Sequence, residues 1–589
     1  MADIILKDRL GVNQTYKGVE KVKLNTSDGG TQIFSKGDTL ERIPIDLDFT
    51  GGDQTINAPE GYLVKSAIIR KPENLKPENI VKDVDIAGIV GTSEGGGGGN
   101  SSESDDTKYH TEPEHWVDDV CFWDIDGNLI LNVPMSEVPS LKSLPTPPEY
   151  EGLTFVRWNY TLEQIRATEY PLDVGALYKP TDGKTHLKIN IIESSYRTVV
   201  LSFQQTVDGG VSVDWGDGSA VETISGTGKV SVSHPYSAMG EYEITLSVAD
   251  ECIMTAGWGS SSSSERFVSA LNYSYGNKYV TGIYFGDRVE LTTYSCASMY
   301  NATHITLPLN ITDIPSSAFN GSYKIGAIIV PDGVISIGSS AFSSTRNAYK
   351  NNCPKRFLVC CLPESIISIA EHAFNMTYFL TRFVVPKNIT VLPNYMLTQQ
   401  GRMRRIYLPK DKIVSISNYF GYFPVLRSSD LEDLSALSTI GNGFMSHVKG
   451  RGSYTIPPGV ETIGNNAFEN SGFCEIVIPE SVTTIGTYFA SYAQNLHRII
   501  LCGNNLTSIG SYALNMVSAY GLEVIFYSET PPSATIIKAL MGGTSGQMAM
   551  SMYVPDNAIS EYEAVLGTSA NSYDIYPISE YRGTLPSPC

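Results

Sequence analysis

Residues 328–342 read IIVPDGVISIGSSAF, and nearly the same phrase returns as YTIPPGVETIGNNAF at 454–468 and as IVIPESVTTIGTYFA at 476–490. Each copy carries apolar residues before a Pro, Ile-Gly six or seven positions after that Pro, and then Ala-Phe or a close substitute. One such unit cannot bury its own apolar face, whereas stacked copies bury one continuous core. The repetition therefore predicts a solenoid.

The period is measured best on the Ile of the Ile-Gly pair, here called the ruler residue. Successive ruler residues are 22 to 24 positions apart, except for one step of 32 that contains the insertion SSTRNAYKNNCPKR. We expect the ruler residue, and the apolar residue five positions later, to stack with their counterparts in neighbouring coils. We also expect the Pro to end a short strand and the Gly to ease a tight bend. The ruler residues are Ile314, Ile337, Ile369, Leu392, Ile416, Ile440, Ile463, Ile485 and Ile509, and the residues five positions later include Phe319, Phe342, Phe374, Leu397, Met445, Phe468 and Leu514.

The composition indicates a mostly β, multidomain protein. A chain of 589 residues is too long for one core, and its 53 Gly, 31 Pro and 34 Tyr favour turns and strands. Lys and Arg total 42 against 62 Asp and Glu, so the net charge of −20 argues against nucleic acid binding. The nine Cys form no Cys-x-x-Cys pair, which predicts reduced thiols in a reducing cytoplasm and no zinc site. We recognise no signal peptide and no membrane-spanning segment.

Changes in composition divide the chain into six predicted segments. The linker contains five consecutive Gly followed by Ser and acidic residues, which bury too little apolar surface to become ordered. An atypical final unit is expected because an exposed apolar end of the stack would aggregate. The predicted segments are an N-terminal module at 1–91, a flexible linker at 92–108, two small β-domains at 109–180 and 181–255, the repeats at 256–523 and a C-terminal cap at 524–589.

The N-terminal module contains the phrases Leu75-Lys-Pro-Glu-Asn-Ile80 and Ile86-Ala-Gly-Ile-Val-Gly-Thr92. They resemble the L-x-P-E-N-I…I-x-G-V-x-G-T pattern of N-terminal modules in tail or fibre proteins from phages of gut Firmicutes. The resemblance implies attachment to a virion through residues 1–91. The alternation in VDIAGIVG, residues 84–91, predicts a strand.

Residues 109–180 place two strand-like runs around Asp126-Gly127-Asn128 and add an aromatic strand ending at Trp158. The segment resembles the small β-grasp unit known as the Listeria–Bacteroides repeat. Asp124, Asp126 and Asn128 alternate like calcium ligands, but an EF-hand requires Gly and Glu at positions where this chain has Leu129 and Met135. We therefore expect a hairpin turn and no bound metal.

Residues 181–255 contain Asp214-Trp-Gly-Asp-Gly-Ser219, His234-Pro-Tyr236 and Gly240-Glu-Tyr242 among strands of period two. The segment resembles a polycystic-kidney-disease (PKD) type β-sandwich, which implies a spacer role. Trp215 is expected to anchor between the sheets and Asp217-Gly218 to form a tight turn. A metal at Asp214 and Asp217 is the weaker alternative.

The repeated phrase resembles the BspA-type leucine-rich repeat, V-I-P-x-x-V-x-x-I-G-x-x-A-F. The segments between one Ala-Phe and the next strand vary, and residues 346–451 hold 14 Lys or Arg against 6 Asp or Glu. Arg pairs with phosphate or carboxylate and aromatic faces stack on sugars, so this pattern fits an anionic polysaccharide such as a teichoic acid, and a solvated surface whose charge serves solubility is the equal alternative. The candidate binding residues are Tyr349, Arg356, Tyr378, Arg382, Arg402, Arg404, Arg405 and Tyr422.

Several functions compete for this chain. The main hypothesis is a structural phage fibre or receptor-binding protein, located in the virion after assembly in the host cytoplasm and release by lysis. Its partners would be other virion proteins through residues 1–91, host surface polysaccharide or protein through the repeats, and further copies of itself. The alternatives are a bacterial cell-surface BspA-like adhesin, as BspA-type repeats often are, and a capsid-attached decoration fibre. A glycan hydrolase is disfavoured because we recognise no acid/base constellation, and we expect neither catalysis nor a cofactor.

Overall fold

The computed structural model divides the chain into two units, Met1–Glu112 and Pro113–Cys589. In the first unit only the backbone of eight strands is described. The second unit is described over 118–194, 197–270, 278–345, 358–377, 380–398, 403–419, 433–448, 452–515, 517, 522–541, 550–567, 569 and 573–581.

The described strands of the first unit pair as four antiparallel hairpins. The stretch predicted as one strand at 84–91 forms two short strands, Asp85–Ile86 and Ile89–Val90, that pair with each other. The predicted linker at 92–108 lies outside the described residues. The strands are β1 Ala2–Lys7, β2 Asn13–Val19, β3 Val22–Asn25, β4 Thr31–Phe34, β5 Gln54–Asn57, β6 Ser66–Ile69, β7 Asp85–Ile86 and β8 Ile89–Val90.

The second unit begins with a four-stranded mixed sheet and one short helix, here called the docked domain (residues 118–180). The strand order is β10-β9-β12-β11, with β12 parallel to β9. The third predicted strand ends at Trp158 as expected. The elements are β9 Asp119–Trp123, β10 Leu129–Pro134, a 3-10 turn at Val138–Ser140, β11 Leu153–Trp158, α1 Leu162–Arg166 and β12 Asp173–Pro180.

Local side chains close the turns of the docked domain. Asp124 accepts hydrogen bonds from the backbone N–H groups of Asp126 and Asn128, at 2.9 and 2.8 Å, and so closes the hairpin between β9 and β10. The prediction of a hairpin turn at this place is confirmed. Helix α1 begins with a capping box in which Thr161 and Gln164 each bond the other's backbone N–H.

Two sheets then form a sandwich, and both continue into the repeats. One sheet has the order β16-β15-β18-β13-β21-β23, and the other has the order β17-β14-β19-β22 with β20 beside β14. The strands are β13 Thr185–Ile191, β14 Thr198–Gln205, β15 Val211–Asp214, β16 Glu222–Ile224, β17 Gly228–Pro235, β18 Gly240–Val248, β19 Met254–Ala256, β20 Val268–Ala270, β21 Val280–Tyr284, β22 Val289–Leu291 and β23 His304–Thr306. A 3-10 turn covers Ser263–Glu265.

The sandwich core confirms one detail of the sequence analysis and corrects another. Trp215 is 1% exposed among core side chains of both sheets, as expected. The Tyr236 hydroxyl donates a hydrogen bond to the backbone carbonyl of Trp215 at 2.8 Å. The predicted boundary between residues 255 and 256 is wrong, because it cuts strand β19. Parallel pairing of β19 with β22 and of β21 with β23 joins sandwich to solenoid in one continuous core.

Every predicted ruler residue of the solenoid ends a two-residue strand, which confirms the period. These strands pair in parallel with their neighbours, and eight of the nine ruler side chains are at most 6% exposed. The strands are β24 Asp313–Ile314, β26 Ser336–Ile337, β28 Ser368–Ile369, β30 Val391–Leu392, β32 Ser415–Ile416, β33 Thr439–Ile440, β35 Thr462–Ile463, β37 Thr484–Ile485 and β39 Ser508–Ile509.

A second row of strands, here called the outer strands, precedes the Pro of each coil and also pairs in parallel. Between the two rows the residues five positions after the rulers are buried, and Phe342 stacks on Phe319 and Phe374 with centroids 5.4 and 5.5 Å apart. The outer strands are β25 Ala327–Ile329, β27 Val359–Cys361, β29 Arg382–Val384, β31 Arg405–Tyr407, β34 Ser453–Thr455, β36 Glu475–Ile478, β38 Arg498–Leu501, β40 Leu522–Phe526, β41 Met550–Val554 and β42 Asp574–Pro577.

The Gly after the ruler residue has a different role from the one predicted. Its backbone is not left-handed, so it does not serve a bend that other residues cannot make. A Cβ on Gly338 would lie 2.5 Å from the backbone nitrogen of Ser316, and one on Gly510 would lie 2.3 Å from that of Thr487. In the coils that carry it, the Gly therefore allows the backbone of the preceding coil to pass directly against it.

Helices replace turns in the last coils. Strands β40, β41 and β42 continue the outer row, while α2 Ala534–Met541 and α3 Ile559–Leu566 bury Ile537, Leu540 and Tyr562 against the core. The boundary predicted between 523 and 524 therefore falls within strand β40. A 3-10 turn at Ile578–Glu580 follows β42.

Candidate binding surface

One corner of every coil has left-handed backbone. The residue three positions after the ruler, here called the rung residue, has φ between +48° and +63° in all nine predicted coils. The same geometry follows Leu291, which marks a tenth coil that the sequence pattern missed because no Pro precedes it and Cys296 stands in place of Phe. The rung residues are Tyr294, Ser317, Ser340, His372, Tyr395, Tyr419, Gly443, Asn466, Tyr488 and Tyr512.

The left-handed backbone at the rungs serves the stacking of coils. The rung N–H donates to the carbonyl of the residue before the next rung, for example from Tyr395 to Asn418 at 3.1 Å and from Tyr488 to Ser511 at 3.2 Å. Asn residues one position before the rung add a second series, in which each Oδ1 accepts from the N–H of its counterpart one coil later. The distance is 2.8 Å from Asn442 N to Asn418 and 2.7 Å from Asn465 N to Asn442. These bonds fix the rungs in register.

Aromatic rings at the rungs stand in single file. His372 stacks on Tyr395 at 4.8 Å, Tyr395 stacks on Tyr419 at 5.3 Å, and Tyr488 stacks on Tyr512 at 5.4 Å between ring centroids. The planes of each pair are within 15° of parallel. The Tyr419 ring covers the next rung, Gly443, where a Cβ would lie 2.4 Å from it. The file is therefore built from side chains that are packed on one another along the solenoid.

The tyrosines of the file reach solvent. Tyr395, Tyr419, Tyr488 and Tyr512 are between 36% and 51% exposed. A left-handed conformation costs a residue with a Cβ about 1–2 kcal/mol, and Gly or Asn avoids most of that cost. Gly443 and Asn466 show that the fold accepts those types at rungs. Strained residues of this kind concentrate at functional sites, so the tyrosines are the first candidates for a binding role.

Four of the outer strands, β25, β27, β29 and β31, in contrast lie against the docked domain. Arg382 on β29 forms a buried ion pair with Asp173 on β12, with side chains 2% and 5% exposed. Its guanidinium also donates to the carbonyls of Asp119 and Leu172, both at 2.9 Å, and Trp123 donates to Asp173 at 2.7 Å. Burial would lower the pKa of Arg382, but the charge of Asp173 outweighs it and raises that pKa above its ordinary value.

Further contacts extend this interface in both directions. The Asn159 amide donates to the carbonyls of Val330 and Cys361, at 3.3 and 3.2 Å, and Tyr160 donates to that of Leu362 at 2.8 Å. More exposed ion pairs surround them, Arg157 with Asp332, Lys179 with Asp287 and Arg405 with Asp118, and the His304 imidazole contacts the Asp126 carboxylate. Basic residues of the repeats thus meet Asp118 and Asp173 of the docked domain, while Arg157 and Lys179 of the docked domain meet acids of the repeats.

The candidate residues from the sequence are dispersed. Arg382 is a buried interface residue and not part of an exposed surface, because the docked domain covers it. Arg405 is half-buried and paired with Asp118 at 3.3 Å, and Arg404 is half-buried. The other candidates lie outside the described residues, and their binding role stays a prediction. They are Tyr349, Arg356, Tyr378, Arg402 and Tyr422.

The rungs were not identified from the sequence, because every position of the repeated phrase was assigned to the buried core or to the turns of the coil. One signal was present: the second variable position of I-G-x-x-A-F holds Asn466, Gly443 or Tyr488 in different copies. Asn and Gly are the types that tolerate left-handed backbone, and their exchange with Tyr marks an exposed position under backbone constraint.

A cleft of about 520 Å³ lies between α1 and the turns of the neighbouring coils. Glu163, Tyr170 and Asp411 line it together with Lys387, which is ion-paired with Glu364. Burial and the carboxylates of Asp411 and Glu169 raise the pKa of Tyr170. The mixed charges of the cleft select no class of ligand.

Three further predictions concern bound metal, membrane-spanning segments and the state of the cysteines. Among the described residues no group of three or more His, Cys, Asp or Glu is placed to hold a metal ion. No helix in the described ranges has the length and apolarity that a bilayer crossing requires. Cys121, Cys252, Cys296, Cys360, Cys361 and Cys474 are free thiols, but Cys502 is disulfide-bonded. The prediction of reduced thiols is therefore wrong at Cys502, since spacing in sequence does not show pairing.

The repeats match a known family. Residues 289–422, 358–446 and 420–530 match the sequence profile described as BspA type leucine rich repeat region. The predicted BspA-type repeats are thus confirmed. The PKD-type, Listeria–Bacteroides and phage-module resemblances have no such match and stay predictions. No curated protein matches the chain.

Three similar solved structures are repeat proteins. A leucine-rich repeat protein from Bacteroides ovatus is 15% identical, with 51% of this chain and 82% of that one covered and a TM-score of 0.33. A leucine rich cell surface protein from Faecalibacterium prausnitzii is 16% identical, with 54% and 91% covered and a TM-score of 0.27. The pneumococcal vaccine antigen PcpA is 13% identical, with 46% and 85% covered and a TM-score of 0.24. At these scores nothing those proteins do carries over.

Proposed function

We propose that this chain is a non-enzymatic adhesion protein of the bacterial cell surface that binds its target through the rung side of the solenoid. The observation that carries the proposal is the file of exposed tyrosines in left-handed backbone at one corner of the coils. The BspA-type repeats of residues 289–530 support the same conclusion, because such repeats are often found in adhesins. The phage-fibre hypothesis receives no comparable support.

The residue types at the rungs favour recognition. Tyr, Ser, Gly and Asn fill nine of the ten rungs. These are the types that antibody binding loops use, because Tyr supplies a large rigid contact at low entropic cost while the small polar residues supply adaptable hydrogen bonds. The solenoid thus presents a row of such contacts on one edge.

Rigidity adds to this suitability. The rungs are held by inter-coil hydrogen bonds from both the rung N–H and the neighbouring Asn. A surface that is already ordered loses little conformational entropy when a partner binds. The docked domain lies against outer strands β25, β27, β29 and β31, and the corner after the ruler strand is exposed at Tyr395, Tyr419, Tyr488 and Tyr512.

A cell-binding assay tests the proposal. Fluorescently labelled full-length chain is incubated with a panel of bacterial and animal cells, and saturable binding to at least one cell type is expected. Tyr488→Asn with Tyr512→Asn should weaken binding at least about tenfold. The control Met239→Asn removes a side chain that is 57% exposed on the sandwich and should leave binding unchanged.

Two results would refute the proposal. One is the absence of saturable binding to every cell type, and the other is equal binding of the double variant and the native chain. Density-gradient fractionation of a producing culture adds the location: the chain should sediment with cell envelopes, and co-sedimentation with virus-sized particles would favour the phage fibre instead.

A further inference from the structure

We infer that the rung file binds a neutral linear polysaccharide, laid along the solenoid axis with successive sugars opposite successive rungs; this inference rests on the adhesion function proposed above. The file is the most regular exposed feature of the described residues. From Tyr395 to Tyr512 it spans six rungs, of which Gly443 is buried beneath the Tyr419 ring.

Charge is the first argument for a neutral ligand. None of the ten rung residues is acidic, Lys or Arg; they are five Tyr, two Ser, one His, one Asn and one Gly. The chain as a whole carries −20, and the basic residues Arg382 and Arg405 are paired with the docked domain. A ligand with phosphate or carboxylate groups would therefore find no charged partner along the file. This edge fits a neutral ligand better than the anionic polysaccharide considered for the variable segments.

Ring geometry gives the second argument. The faces of His372, Tyr395 and Tyr419 are used in stacking on one another, so the file presents ring edges and phenolic hydroxyls. A hydroxyl both donates and accepts hydrogen bonds, as do the hydroxyls of Ser and the amide of Asn at other rungs. A row of groups with both capacities is complementary to a ligand that repeats hydroxyl groups along its length.

Spacing gives the third argument. Stacked rungs are 4.8 to 5.4 Å apart, which is close to the length of one sugar in an extended β-linked chain. An extended peptide presents side chains on one face only about every 6.6 Å. Its side chains would therefore fall out of register with the rungs after two coils. The match with the glycan places one sugar opposite each rung.

Isothermal titration of the full-length chain tests the inference. The probes are cellohexaose, xylohexaose, mannohexaose and chitohexaose, chosen because six sugars span the six rungs from Tyr395 to Tyr512. Binding of at least one hexasaccharide is expected, with the corresponding disaccharide at least about tenfold weaker because it meets fewer rungs. Failure of all four hexasaccharides, or equal affinity for a hexasaccharide and its disaccharide, overturns the inference.

Substitutions locate the site on the file. Tyr488→Asn with Tyr512→Asn should reduce hexasaccharide affinity at least about tenfold while the melting temperature stays within a few degrees, because Asn tolerates left-handed backbone. The matched control is Tyr492→Asn, another exposed tyrosine with left-handed φ, which lies four positions after a rung and outside the file. Equal loss in the control and the double variant overturns the assignment to the file.

Treatment of the target cells separates this inference from the adhesion proposal. Periodate, which cleaves the vicinal diols of cello-, xylo- and manno-type chains, or chitinase, which cleaves chains of N-acetylglucosamine, should abolish binding of the full-length chain to cells that bind it, and protease treatment should not. If binding survives both periodate and chitinase and is lost after protease, the adhesion function stands with a protein receptor and the polysaccharide inference falls. If untreated cells do not bind at all, the adhesion proposal itself fails.

Discussion

Arg382 in the solenoid and Asp173 in the docked domain, 209 positions apart in sequence, form a buried ion pair with an Arg Nε to Asp oxygen distance of 3.1 Å. A basic residue that the sequence assigned to an external anion thus has an internal partner. The Trp123 indole N–H also donates to Asp173, so strands β9, β12 and β29 meet at this ion pair.

Removal of one charge of this pair should destabilise the protein strongly. Arg382→Ala leaves the Asp173 carboxylate buried without its cation, and we expect a loss of about 3–5 kcal/mol in the free energy of unfolding by urea. The double variant with Asp173→Ala should lose less than the sum of the single variants. The control Arg157→Ala breaks an ion pair 43% and 39% exposed and should cost less than about 1 kcal/mol. Equal losses at both sites would contradict the importance of burial.

Thiol labelling should report the docking directly. Cys121 is fully buried at the interface, and burial raises the pKa of its thiol to about 12 against the opposing charge of Arg382. Iodoacetamide at pH 8 should therefore label Cys121 slowly in the native chain and faster in Arg382→Ala, as followed by peptide mass spectrometry. Half-buried Cys474, far along the solenoid, is the internal control. A parallel increase at Cys474 would indicate general unfolding in place of undocking.

The close approach of coils predicts different effects for two glycines of one repeat. Gly338→Ala places a Cβ 2.5 Å from the backbone nitrogen of Ser316 and should cost about 1–3 kcal/mol through overpacking. Gly333→Ala meets nothing nearer than the Ile311 carbonyl at 3.6 Å and should be close to neutral. Thermal unfolding of both variants by circular dichroism measures the difference. Equal melting temperatures would contradict the prediction, because they would mean that the neighbouring coils shift to accommodate the added Cβ at Gly338.

The sandwich should show acid-dependent stability at Asp217. Hydrogen bonds from Ser219 and His234 lower the pKa of this carboxyl to about 2, below its value in an unfolded chain. A depressed pKa stabilises the folded state above pH of about 4 and this contribution is lost as the pH falls towards 2. Asp217→Asn should therefore melt lower than the native chain at pH 6, and the gap should close at pH 2. A gap independent of pH would refute this account.

Local pattern sufficed for much of the fold. The nine predicted ruler residues end nine two-residue strands, Trp215 lies between two sheets, and Asp124 closes a hairpin. Each of these features depends on residues within one coil or one turn, where apolar periodicity and side-chain capping act over a short stretch of chain. The rungs could also have been predicted, because Tyr, Asn and Gly replace one another at the second variable position of I-G-x-x-A-F.

Other features depend on approach between distant segments. The reason for Gly338 lies in the backbone of the preceding coil, the shared sheets of sandwich and solenoid arise from pairing of β19 with β22, and Cys502 is disulfide-bonded. None of these relationships has a period or a spacing that one segment could display. The predicted boundary at residue 255 failed for this reason.

The sequence by itself determined the solenoid, because each repeat carries its own alternation of apolar, Pro and Gly positions and stacking follows from it. Only the tertiary structure decided which charged and aromatic side chains face solvent. The docked domain covers Arg382 through a contact spanning 209 positions, and left-handed corners turn Tyr395, Tyr419, Tyr488 and Tyr512 outward in single file. Exposure is a property of neighbours in space, and those neighbours come from other coils and another domain.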